Sequence, residues 1–67
     1  MNLTTFYVRT DLFKNQIVEV SSSPEILAKK GDIFTCRAKT ADDAMCQIAK
    51  ARLLSPSEEY LKALEPS

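Results

Sequence analysis

The chain has 67 residues, 45% of them hydrophobic and 27% charged, and its nine basic and nine acidic side chains cancel. That composition belongs to an ordinary folded domain, and the zero net charge excludes a global field that would draw the chain onto nucleic acid or an anionic membrane. With no histidine and one glycine, the chain lacks the commonest general base and metal ligand, and it cannot build a glycine-rich phosphate loop or dinucleotide fingerprint.

Met1-Asn2-Leu3-Thr4-Thr5 carries neither a basic n-region nor an apolar h-region. No apolar run approaches the roughly 20 residues of a membrane span. The expectation is a single small cytoplasmic α+β domain over residues 1–67, with no membrane contact. A chain this short buries only roughly 60% of the surface its unfolded state exposes, so its core is small.

Residues 3–10 read as a strand, with Phe6 and Val8 facing inward and Thr5, Tyr7 and Arg9 outward into solvent. Asp11 to Asn15 supplies a turn, and residues 16–20 follow as a second strand with Val18 and Val20 inward, making a hairpin. Ser23 caps a short helix over 24–30, with Pro24 at its first position, Lys29 and Lys30 in its last turn and Gly31 as its left-handed stop. At about two turns it needs Ile26 or Leu27 held by the rest of the fold.

Residues 32–39 form the third strand, with Phe34, Cys36 and Ala38 inward and Ile33, Thr35, Arg37 and Lys39 outward. At Thr40 a period of two gives way to a period near 3.6, and Thr40 with Asp43 makes a capping-box variant for the main helix, 41–53. Ala41, Ala44, Met45, Ile48 and Ala51 share the stripe that packs on the sheet. A second stripe, Cys46, Ala49 and Leu53, lies roughly 140° round the helix and needs another cover. The sequence offers a C-terminal helix, 56–64, capped by Ser55 and Glu58, whose Tyr60, Leu61 and Leu64 would fold back over it. The same stripe is otherwise a dimer contact. The fold expected is therefore a three-stranded, mainly antiparallel sheet with the main helix on one face and two short helices.

Little here supports catalysis. Asp42-Asp43 and Glu58-Glu59 each sit in the first turn of an expected helix, where the dipole favours them without any acid/base role. Cys36 and Cys46 are too few for a disulfide framework or a structural zinc site, and both are expected as free thiols, Cys46 as a buried structural one. No cofactor and no enzymatic activity are expected.

Two exposed surfaces point to binding. Leu12 and Phe13 stand in the hairpin turn, where they either tuck under the end of the sheet or serve as exposed apolar anchors for a protein partner. Tyr7, Arg9 and Arg37 on the outer sheet face extend that set. The alternative is nucleic acid, with Tyr7 stacking a base and Lys29, Lys30, Arg37 and Lys39 meeting phosphate.

Over Leu3 to Leu54, in size, scarcity of glycine and strand-strand-strand-helix order, the chain resembles the small proteins of phages and mobile elements, anti-CRISPR proteins among them. The resemblance is one of style, and it implies an inhibitor that binds a host complex. The expected function is accordingly a non-enzymatic protein-binding protein, monomeric or homodimeric.

Overall fold

The computed structural model describes residues 2–64. In chain order they form β1 (Thr4–Asp11), β2 (Gln16–Ser21), a 3-10 helix (Pro24–Ala28), β3 (Asp32–Ala38), α1 (Ala41–Arg52), β4 (Ser55–Pro56) and α2 (Glu58–Leu64). The strands make one four-stranded sheet in the order β3-β1-β2-β4. β1 runs antiparallel to β2 and β3, and β4 runs parallel to β2, so the sheet is mixed.

The fourth strand corrects the three-stranded expectation. The Ser55 and Ser57 N–H groups donate to the Asn15 and Ile17 carbonyls at 3.0 and 2.8 Å. Pro56 sits between them with its nitrogen turned away from β2, the position where a missing donor costs the ladder nothing. Because Ser55 joins the sheet, it does not cap the last helix. Ser57 does so, its Oγ accepting from the Tyr60 N–H at 3.1 Å, and α2 begins at Glu58 rather than at residue 56.

A bulge changes the facing of β2. Val20 lies opposite Val8 and Glu19 opposite Arg9, but Thr10 pairs with Ile17, which leaves Val18 as the extra residue. An inserted residue reverses the alternation beyond it. Ile17 and Val20 therefore both serve the core side, Ile17 fully buried, whereas simple alternation had turned Val18 inward.

β2 and β3 flank β1, so the segment between them must cross it. It crosses on the face of Arg9 and Glu19, where Lys29 Nζ reaches Glu19 Oε2 at 2.9 Å and Arg9 Nη1 donates to the Lys30 carbonyl at 3.2 Å. Ile26, only 2% exposed, anchors the crossover, while Leu27 is exposed. This covers part of the sheet face expected to meet solvent. The helix within it is 3-10 and ends at Ala28, short of the expected 24–30, with Ser23 Oγ capping the Glu25 N–H at 3.3 Å. Gly31 is not its stop. At φ 117° it leads into β3, where a Cβ would stand 2.7 Å from the Thr10 carbonyl oxygen.

The opposite face carries the core. Phe6, Val8, Ile17 and Ala38 from the sheet meet Ala44 and Ile48 of α1, with Leu54 and Tyr60 closing the side toward β4. Thr40 caps α1 as expected, its Oγ1 accepting from the Asp43 N–H at 3.1 Å. Of the expected packing stripe, Ala44 and Ile48 are buried and Met45 packs against the core, but Ala41 and Ala51 are exposed. α1 ends at Arg52, one residue before the expected 53.

The second stripe is not covered as expected. Ala49 packs against the core, while Cys46 and Leu53 stay exposed. Of the three residues assigned to cover it only Tyr60 is buried; Leu61 and Leu64 are exposed. α2 packs along β2, because the β4 pairing places it at that edge of the sheet. No helix among the described residues is long and apolar enough to cross a membrane.

Candidate interaction site

The hairpin tip between β1 and β2 is held by local hydrogen bonds to the Asp11 carboxylate and within the turn backbone. Asp11 Oδ1 accepts from the Phe13 and Lys14 N–H groups at 3.1 and 3.3 Å, an Asx turn. The Asn15 N–H donates to the Leu12 carbonyl at 3.4 Å, and Asn15 takes a left-handed φ of 54°, a conformation asparagine tolerates. Phe13, at the apex, is fully exposed (102%), and Leu12 is 43% exposed.

Leu53 stands at the same end. The Leu53 and Leu54 N–H groups both donate to the Ala49 carbonyl, the latter at 3.0 Å, which closes α1 in a Schellman-type turn. That turn wants glycine at its left-handed position, and here Leu53 occupies it at φ 56°, ψ 47° with 87% of its surface exposed. The Ser55–Asn15 hydrogen bond joins the two segments, since Leu53 and Phe13 each lie two residues from it. Beside the tip, Leu12 and Phe13 with Arg9, Asp11, Lys30 and Glu59 line an open cleft of about 390 Å³.

Of the other sequence-derived candidates Arg9 and Lys30 line this cleft, whereas Tyr7, Lys29, Arg37 and Lys39 do not. Arg9 is engaged within the chain: Nε bonds Glu19 at 3.1 Å, Nη2 bonds Glu59 at 3.1 Å and Nη1 bonds the Lys30 carbonyl. Lys29 is paired with Glu19. The Lys29 hydrogen bond, helped by Arg9 and opposed by partial burial, holds the Glu19 carboxyl below the ordinary value of 4.5. Lys30, Arg37 and Lys39 are exposed, and Arg37 Nη2 donates to the Leu3 carbonyl at 3.4 Å. Tyr7 is half-buried between β2 and β3.

Both cysteines are free thiols. Cys36 is half-buried, its Sγ 3.9 Å from the Ala44 carbonyl, and burial raises its pKa. Cys46 is exposed rather than buried. Tyr60 titrates above its ordinary value, first through burial and then through the charges of Asp42 and Cys46. Among the described residues no three Cys, Asp or Glu side chains stand close enough to hold a metal ion.

Leu12 and Phe13 were readable as candidates from their place in a polar turn. Leu53 was read only as part of a helical stripe. Its left-handed backbone has a faint sequence signal, in that no glycine or asparagine follows the apolar period and so some other residue must close the helix.

The fold and this end together define a small mixed-sheet α+β domain that presents exposed apolar side chains on a hydrogen-bonded turn. No family model matches the chain, and no curated protein or solved structure is similar to it.

Proposed function

We propose that the chain is a non-enzymatic binding protein that docks a protein partner through its hairpin end, with Phe13 as the anchor and Leu12 and Leu53 beside it. The observation that carries this reading is Phe13 at 102% exposure on a tip fixed by Asp11. A turn backbone already held in place loses little freedom on binding, and the aromatic ring it carries can bury a large apolar area, the profile of a hot spot. The partner it suits has an apolar pocket of aromatic size. Inhibition of a host complex is the form of this role that the resemblance to phage-borne proteins suggests.

The test compares the wild-type chain with Phe13→Ser and Arg37→Ser, each immobilised and exposed to extract from the source cells. Captured protein is identified by mass spectrometry and then titrated in purified form. A partner that binds wild type and Arg37→Ser but not Phe13→Ser, with unchanged thermal stability, supports the proposal. Equal binding by Phe13→Ser overturns it.

A further inference from the structure

The two edges of the sheet differ. β4 is two residues long and contains Pro56, which blunts that edge. β3 is seven residues long, without proline or bulge, and pairs only with β1 among the described residues. Gln47 Nε2 donates to the Arg37 carbonyl at 3.1 Å, so that carbonyl is turned away from β1. Thr10 Oγ1 donates to the Asp32 carbonyl at 2.8 Å, so that one is turned toward it. Antiparallel ladders alternate in this way. The backbone groups of Ile33, Thr35 and Arg37 therefore project from the open edge, and those of Asp32, Phe34, Cys36 and Ala38 serve β1.

We infer that this edge pairs with the β3 of a second copy of the chain, antiparallel and about a twofold axis, to give one continuous sheet across two protomers. The strand's charges favour its own copy. It begins with Asp32, ends toward Arg37 and Lys39, and carries no charge from Ile33 to Cys36. Antiparallel self-pairing about Thr35 sets Asp32 opposite Ala38 of the second copy, one residue from its Lys39, and Arg37 opposite the uncharged Ile33, whereas parallel pairing would set like charges together. A chain of zero net charge adds no overall repulsion between copies. The Gln47 amide, which now satisfies the Arg37 carbonyl, gives way to an N–H of the incoming strand. This contact is independent of the hairpin-end reading.

Light scattering coupled to size exclusion, from micromolar to near-millimolar chain, is expected to show the mass rising from one chain to two. Thr35→Pro removes only an outward donor and blocks the edge, so it is expected to stay folded by circular dichroism and to remain monomeric throughout. Leu53→Asp is expected to dimerise as wild type does. A wild-type chain that is monomeric at every concentration overturns the inference, as does a dimer lost in Leu53→Asp but kept in Thr35→Pro. Should Thr35→Pro not fold, amide exchange of the wild-type chain decides: the Ile33 and Thr35 amides must slow at least tenfold between dilute and concentrated samples. Equal rates overturn the proposal.

Discussion

Replacing Leu53 by glycine separates what this residue does for the fold from what it does for binding. A left-handed backbone costs an L-residue with a Cβ roughly 1–2 kcal/mol, and Leu53 holds that conformation at φ 56° with its side chain 87% exposed. Glycine relieves the strain but adds unfolded-state freedom worth about 0.4–1 kcal/mol. Little apolar burial is lost from so exposed a side chain. Leu53→Gly should therefore stabilise the domain by about 0.5–1 kcal/mol, a rise in Tm of roughly 2–8 °C at the sensitivity of a domain this small. Urea denaturation followed by far-UV circular dichroism, fitted with a common slope, measures the change. A loss of about 0.5 kcal/mol or more would show that the Leu53 side chain packs in solution and would refute the account of the helix end. The same variant should bind the hairpin-end partner more weakly than wild type, so stability and binding move in opposite directions.

Gly31→Ala meets the Thr10 carbonyl at 2.7 Å in a φ that L-residues rarely adopt, and should cost about 2–3 kcal/mol in the same urea titration. Tyr60→Ala removes the one aromatic of α2 that enters the core and should cost about 3–5 kcal/mol, enough to leave much of a marginal domain unfolded at room temperature; a cooperative wild-type-like melt would show that α2 is dispensable. Glu19 is held below 4.5 by Lys29 and Arg9, so the folded state binds its proton less tightly than the unfolded state. Its contribution is full above about 4.5 and fades as pH falls through the lowered folded value. Glu19→Gln should accordingly flatten the acid limb of a stability–pH curve, and an unchanged limb would show that the Lys29–Glu19–Arg9 network carries no stability.

The parts of the fold legible in the sequence were those set by local periodicity and capping. Thr40 marks the start of α1 because a side-chain oxygen and an orphan N–H meet within one turn, and Phe6 and Val8 face the core because β1 alternates without interruption. Non-local choices were illegible. Nothing in Val18 announces a bulge, since its position depends on which residue of β1 it must slip past. Ser55-Pro56 reads as a helix start because its residues suit one; hydrogen bonds to the Asn15 and Ile17 carbonyls, some forty residues earlier in the chain, override that preference. The same pairing sets α2 along β2, and Cys46 and Leu53 stay exposed. For the candidate site, the polar turn located Leu12 and Phe13, but placing Leu53 at the same end of the molecule required the hydrogen bond between Ser55 and Asn15.

The two proposed surfaces have a joint consequence. The hairpin tip lies at the end of the sheet where β3 begins, since Thr10 pairs with Asp32. A twofold axis that sets β3 antiparallel to its copy therefore sends the two Phe13 tips to opposite ends of the dimer. Such a dimer cannot place both tips on one compact partner. It gains avidity only where the partner is itself repeated at a matching span. For a monomeric partner in solution, binding per tip should then be the same for wild type and Thr35→Pro, whereas a repeated or surface-arrayed partner should hold wild type far more tightly. A Thr35→Pro variant that binds an isolated partner more weakly than wild type would mean that the β3 edge itself takes part in recognition.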